Sequence, residues 1–525
     1  MARSRLLAGL ALWLWAGCRS GPLPEETTLL VGRTADAIGL DPARITDSES
    51  IEVVDQIFET LLRVRRGSTV LEPGLATRWD RSADGRTWTF HLRPGVRFHD
   101  DTPLDADAVL FSFARQRDKG HPQHTGGFAW EALFRNIVRI DKVDPLTVRM
   151  EIEASYAPFL ANLAMFPMSI VSPTAVARWG EDFARHPVGT GPFRFVEWAP
   201  GERITLAASP QYWDGMPTVR NLAFVPVRDA RQRLLALEGG AIDVAENLAP
   251  QDLQFVVLHP ELRTEHVAGF NVSYLAMNTT HPPFDDVRVR RAVALAVRKN
   301  PIVKLVYQGL AVEATGTLPP TMWGHRAADR LPPDPAQARR LLAEAGWGVV
   351  QKGAARRPPP RLLVMNTPRS YMPAPERVAR MIAQDLHDVG MDVEVVVSDF
   401  SSHLRAVSAG EHDLCLLGWG SDNGDPDNVL YTLFHSENAE VGQARNVSFF
   451  RDEKVDELLH AAQTALEQPR REELYQQAQR LIADQVPLVP LAHSEIVVAL
   501  RRNVRGLWLP PTTTLHFDRV TLAAE

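Results

Sequence analysis

Polar and apolar residues alternate strictly over Thr87-Trp88-Thr89-Phe90-His91-Leu92, the period of a strand with one buried face. Asp84-Gly85 just before it predicts a hairpin-type turn. Leu146 to Ile152 alternates in the same way. Other stretches carry the helical period instead. Asp105 to Phe113 predicts a helix with an acidic first turn, and Arg228 to Leu237 one that ends at Gly239-Gly240, followed by a strand at Ile242–Val244. Val378, Met381, Ile382, Leu386 and Val389 mark a helix stopped by Gly390. Val393, Val395 and Val397 then predict a strand, which makes a helix–strand unit of the α/β kind. Val455, Leu458, Leu459, Ala462 and Leu466 predict another amphipathic helix, and Arg470 to Ala483 a further one. These stripes are core faces. The proline-rich Leu318–Pro335 and Gly348–Arg361 predict exposed connections. No internal repeat is visible.

A chain of 525 residues is long enough for two or three domains. Its 45% apolar and 23% charged residues are those of an ordinary globular protein. A net charge of −7 gives no support for nucleic-acid binding, which needs a basic face. Only the N-terminus departs from this pattern. Arg3 and Arg5 precede the apolar run Leu6–Ala16, which ends at Gly17-Cys18. This is the layout of a secretory signal, and it is too short for a comfortable membrane span. Cysteine directly after small residues resembles a bacterial lipobox, which would make Cys18 the lipidated first residue. Trp15 stands where that pattern prefers Leu, and a plain signal cleaved nearby is the alternative. Cys415, the other cysteine, sits in an apolar strand and predicts a buried, inert thiol.

The chemistry concentrates in one place. The apolar run Leu414–Trp419 predicts a short buried strand, and it opens into Asp422-Asn423-Gly424-Asp425-Pro426-Asp427. Ligands of open α/β proteins bind at such strand ends. The loop has no Lys or Arg near it in sequence, so it suits a cationic group, or else it is a turn held by its own side chains. Catalytic and metal motifs do not emerge. G-x-S-x-G, H-E-x-x-H, the P-loop and paired C-x-x-C are absent. Gly189-Thr190-Gly191-Pro192 lacks the third glycine of a dinucleotide fingerprint. His91, His99, His387, His403, His412 and His435 show no ligand spacing. No nucleophile is paired with a base, so the chain is expected not to be an enzyme, with no cofactor and no metal.

Seven segments together resemble the dipeptide/oligopeptide-binding receptors of bacterial ABC importers, solute-binding protein family 5. They are Trp88–Asp101 (WTFHLRPGVRFHDD), Asp105–Phe113 (DADAVLFSF), Pro187–Trp198 (PVGTGPFRFVEW) and Tyr274–Thr280 (YLAMNTT). Pro283–Ala294 (PFDDVRVRRAVA), Pro335–Gly346 (PAQARRLLAEAG) and Gly418–Asn428 (GWGSDNGDPDN) complete the set. Their order spans essentially the whole mature chain, and the resemblance is nearest to the dipeptide-binding branch.

The resemblance implies a two-lobed type II periplasmic-binding-protein fold, α/β, with an extra subdomain in the first lobe. It implies lobe one at 27–273 with the subdomain at about 73–185, lobe two at 274–491, and a return to lobe one at 492–525, behind the lipoprotein signal at 1–18 and the tether at 19–26 that the N-terminal residues themselves predict. It also implies a site. Asp422 matches the aspartate that holds the ligand ammonium. Arg369-Ser370-Tyr371 matches the R-x-Y segment whose arginine holds the carboxylate, with Ser370 where Pro is common. Arg suits that role because its fork binds a carboxylate bidentately. Trp419 would wall the pocket, and Ser48 and Ser50 align with a Ser/Thr-rich lining loop that Glu49 interrupts. A solvated loop arginine remains the alternative for Arg369. The implied partners are a short peptide, most simply a dipeptide, and a membrane permease complex, with the receptor monomeric, periplasmic or at the cell surface, and anchored through Cys18. Glutathione, heme or chelated nickel are the rival ligands on the same fold. A peptidase and a peptide-holding chaperone are the rivals of other classes.

Overall fold

The computed structural model describes residues 28–523 except 127, 328–331, 348–357 and 513. The signal, lipobox and tether expected at 1–26, and most of the Gly348–Arg361 connection, lie outside the described residues. Twelve strands form one continuous hydrogen-bonded sheet, whose two halves share a single long strand, Leu488–Arg501. Leu488–Ala492 pairs antiparallel with the strand Asn271–Met277 in the lobe-two half. Glu495–Arg501 pairs with Leu262–Ala268 in the lobe-one half. The chain therefore passes between the lobes at Gly269 and again at Ser494. Asn271 pins the two passages together: its Nδ2 donates to Ser494 O at 3.0 Å and its Oδ1 accepts from Ser494 N at 2.9 Å. The boundaries expected at 273/274 and 491/492 fall a few residues inside these lobe-two strands.

Lobe two is built as the hydrophobic pattern requires. Arg361–Met365 and Glu394–Ser398 pair in parallel, and the helix Pro375–Asp388 crosses between them. Leu414–Gly420 runs parallel to the first of these strands and antiparallel to Asn271–Met277. Its side chains alternate between two cores: Leu414 and Leu416 enter one, Cys415 and Leu417 the other. A strand buried on both faces reads as a continuous apolar run, and burial pushes the Cys415 thiol well above its ordinary range. Leu318 and Met322 are buried in the second of these cores, so the stretch from Leu318 is not the wholly exposed connection expected. Proline there shapes a packed loop rather than a linker.

Lobe one has its own cores, and beside them stands a four-stranded antiparallel sheet that includes Ala76–Arg81, Thr87–Leu92 and Thr147–Ile152. A separate cluster fills it, with Phe90, Val109, Phe113 and Val148 at its centre. The hairpin turn falls at Gly85, whose φ of +72° suits glycine. Gly189 and Gly191 are needed for a different reason. A Cβ on Gly189 would lie 2.1 Å from Ile57 O, because this segment packs directly on the end of the helix Ser48–Ile57. The helix expected from Arg228 begins at Ala230, because Asp229 caps it by accepting from Gln232 N. The strand expected at Ile242–Val244 is Val244–Glu246.

Candidate functional site

A cavity of about 490 Å³ lies between the lobes. The helix Ser48–Ile57 and the returning segment around Trp508 and His516 line it from lobe one. Ser370 and Asp422 line it from lobe two. Asp422 stands two residues beyond the strand end at Gly420, and Ser421 N donates to Phe270 O at 2.7 Å. Asp422 is exposed and lines the cavity, with the mass of both lobes around it. Desolvation by that mass pushes its pKa up to about 6, partly offset by a hydrogen bond with Asn428. A carboxylate held there gains strongly from a cation brought by a ligand.

The rest of the acidic loop is not uncompensated. Arg471, forty-six residues on, forks onto Asp425 at 2.8 and 2.7 Å, and both side chains are buried. Asp425 also caps the helix Pro426–Phe434. Asp427, buried beside Asp425, is pushed up to about 7. Only Asp422 keeps the free charge that the loop as a whole was expected to carry. The loop also bridges the lobes: Asn423 Nδ2 donates to Asn162 Oδ1 at 2.8 Å, and Tyr156 OH donates to Asp427 Oδ2 at 3.3 Å. Ala157 N donates to Gln463 O at 2.6 Å in the same seam.

The other expected site residues are divided. Ser48 lines the cavity. Ser50 is fully buried, and its Oγ accepts from Ile38 N at 2.9 Å. It fastens the preceding loop and has no face toward a ligand, a correction to its expected lining role. Arg369, Tyr371 and Trp419 are not among the residues lining the cavity. The Arg369 guanidinium carbon lies 3.5 Å from the Phe400 ring centroid, and its Nε has no hydrogen-bond partner. Tyr371 lies under the strand at Gly418, where a Cβ would be 2.2 Å from its ring, and burial pushes its hydroxyl up to about 12. Trp419 Nε1 donates to Asn428 Oδ1 at 3.1 Å, the same oxygen that Asp422 N approaches at 3.4 Å.

The largest group that sequence reasoning missed is a row of acids on lobe one. Glu49, Glu52 and Asp55 all line the cavity from one helix. Their spacing of three was the available signal, since residues three apart share a helix face. Burial pushes Asp55 up to about 7. Glu52 is raised further by burial and by Glu246 across from it. Glu59, at the end of the row, is also held at about 7 by burial, against donors from Thr190, Trp213 and Tyr212. Among the described residues no group of three metal-ligating side chains occurs.

Comparison with known proteins places this geometry. Residues 70–440 match the family described as bacterial extracellular solute-binding proteins, family 5 Middle. The chain is 36% identical over 521 residues to Di/tripeptide-binding protein 1 of Pseudomonas aeruginosa, covering 95% of each. It is 34% identical over 488 residues to Heme-binding protein A of Haemophilus influenzae, covering 89% of this chain and 87% of that one. The solved periplasmic binding protein DppA of Helicobacter pylori, in complex with peptide STSA, superimposes with a TM-score of 0.82 at 32% identity. That match covers 95% of this chain and 98% of the other.

Proposed function

The chain belongs to the bacterial extracellular solute-binding proteins, family 5, and from that premise we propose a receptor outside the cytoplasm that captures short peptides between its lobes and delivers them to an ABC importer. The observation that carries the reading is Asp422: a carboxylate exposed on the wall of an interlobe cavity, with no ion-pair partner among the described residues and a pKa raised to about 6 by its surroundings. A free peptide is a zwitterion, and burying it without fixed partners for both charges is too costly. On this reading Asp422 takes the ammonium and Arg369 the carboxylate. Arg63, Arg65, Arg66 and Arg519 on the cavity wall are already ion-paired. Arg369 has no carboxylate partner among the described residues, and its neighbour Ser370 lines the cavity. On this reading its side chain has to leave the Phe400 ring to meet the ligand carboxylate.

The ligand of this fold is not set by overall similarity, since relatives named for peptides and for heme are about equally identical to the chain. The acid row on the wall favours a ligand that brings an ammonium over heme, whose ionised groups are carboxylates. Calorimetry with one tripeptide, its N-acetyl form and its C-terminal amide tests the assignment. Each block is expected to abolish most of the affinity. Equal binding of blocked and free peptides would refute the clamp. The same incubations are expected to release no amino acids, since the reading is of a non-catalytic receptor working as a monomer with a membrane permease. Cys18 anchors it by a lipid on this reading, and Cys18→Ser is expected to move the protein from the membrane to the soluble fraction.

A further inference from the structure

Four arginines on the cavity wall are committed to three acids. Arg63 pairs with Glu72 and Asp214, Arg65 with Glu72, Arg66 with Asp518, and Arg519 with Asp214 and Asp518. The acids of the opposite stretch have no such partners. Glu49, Glu52, Asp55, Glu246 and Asp422 line the cavity, and none has a basic side chain within ion-pair distance among the described residues. Arg33 lies behind them, fully buried, and offsets part of the charge of Glu52 and Glu246 through space. Glu246 keeps a buried oxygen, Oε1, with no hydrogen-bond partner.

This arrangement works against the protein's own stability. Like charges on one helix face repel, and burial magnifies the penalty. Glu52 is only 5% exposed and shares its hydrogen bond with another acid. A single peptide ammonium on Asp422 leaves the row Glu49–Glu52–Asp55 unanswered. Resting on the reading of the cavity as a peptide site, we propose that the peptides it takes carry a basic side chain, lysine or arginine, whose charge lies against that row. A lysine ammonium supplies three donors on a flexible stem, and an arginine supplies a planar fork. Either satisfies acids of lobe one while the peptide ammonium satisfies Asp422 of lobe two, so the ligand ties the lobes together electrostatically.

Calorimetry with alanyl-lysine and alanyl-norleucine, and with the reversed pair, tests this. Norleucine keeps the unbranched apolar stem and lacks the charge. A charge-assisted hydrogen bond predicts that the lysine peptide binds at least about tenfold tighter. In Glu49→Gln/Asp55→Asn that ratio is expected to fall toward one. Thermal unfolding of the double variant serves as the folding control, and removal of like charges is expected to leave its melting temperature equal or higher. Equal affinities for the two peptides in the wild type, or a ratio undiminished in the variant, would overturn the inference while the peptide reading stands. No binding of any of the four peptides would overturn both.

Discussion

The ion pair between Arg471 and Asp425 allows the sharpest test of how the binding loop is held. Arg471 lies in the first turn of the helix Gln468–Gln485. Its guanidinium meets both Asp425 oxygens, approaches Tyr475 OH at 3.0 Å, and its Nε donates to Ala462 O at 3.0 Å. Both charged side chains are about 7% exposed. Arg471→Met keeps most of the stem and removes the charge. Asp425 is then stranded in protein beside Asp427, a carboxyl already raised to about 7 by burial and by Asp425 itself. Removing one partner of a buried pair costs about 3–5 kcal/mol. For a lobe of this size that is roughly 6–20 °C in melting temperature, at about 2–4 °C per kcal/mol. The assay is calorimetry of the ligand-free protein, following the transition that contains lobe two. Arg471→Met/Asp425→Asn is expected to recover most of the loss, because Asn still caps the helix Pro426–Phe434 and carries no charge. Peptide affinity is expected to fall in the single variant and return in part in the double, since Asp422 rides on the same loop. A loss below about 1 kcal/mol in the single variant, or a double variant no better than the single, would refute the reasoning.

Further outcomes follow from the same geometry. Asp422→Ala leaves a buried ligand ammonium without its partner, and an affinity loss of about two to three and a half decades is expected by calorimetry. With Asp422 ionising at about 6 in the free protein, affinity is expected to hold above that pH and to fall as pH drops below it, because the protonated carboxyl cannot pair with the ammonium; Asp422→Asn is expected to bind weakly and to remove this dependence. Tyr156→Phe and Asn162→Ala each delete one interlobe hydrogen bond, and a faster ligand release in stopped flow, with affinity lower by about two- to tenfold, is expected from about 0.5–1.5 kcal/mol of closed-state stability. Gly418→Ala brings a Cβ within 2.2 Å of the Tyr371 ring, and a destabilisation of about 1–3 kcal/mol is expected in urea titration.

Local pattern sufficed wherever one element had one period and one face. The alternation at Thr87–Leu92 is the strand observed there, residue for residue. The apolar stripe from Val378 to Val389 lies on the helix Pro375–Asp388 and its capping turn, with Gly390 beyond it. Family membership was legible as well, because it rests on the order of segments along the chain. Position 422 could be singled out because a carboxylate at the end of a buried strand is visible in sequence.

Other properties depend on pairs that sequence separation hides. Asp425 and Arg471 are forty-six residues apart, so which loop acid is neutralised was decided only when two helices packed. Ser48 and Ser50 are neighbours in one motif, yet the helix turns the first to the cavity and the second into the core. Arg369 carries the expected motif, while its side chain lies on Phe400. The row at Glu49, Glu52 and Asp55 was readable as a helix face, but not as a charged wall, since an acidic stripe usually faces water. The sequence by itself determined elements, family and the lone acid at a strand end. The tertiary structure decided which charges are answered within the protein and which await a ligand, because Coulomb energy depends on distance and burial in space, not on position along the chain.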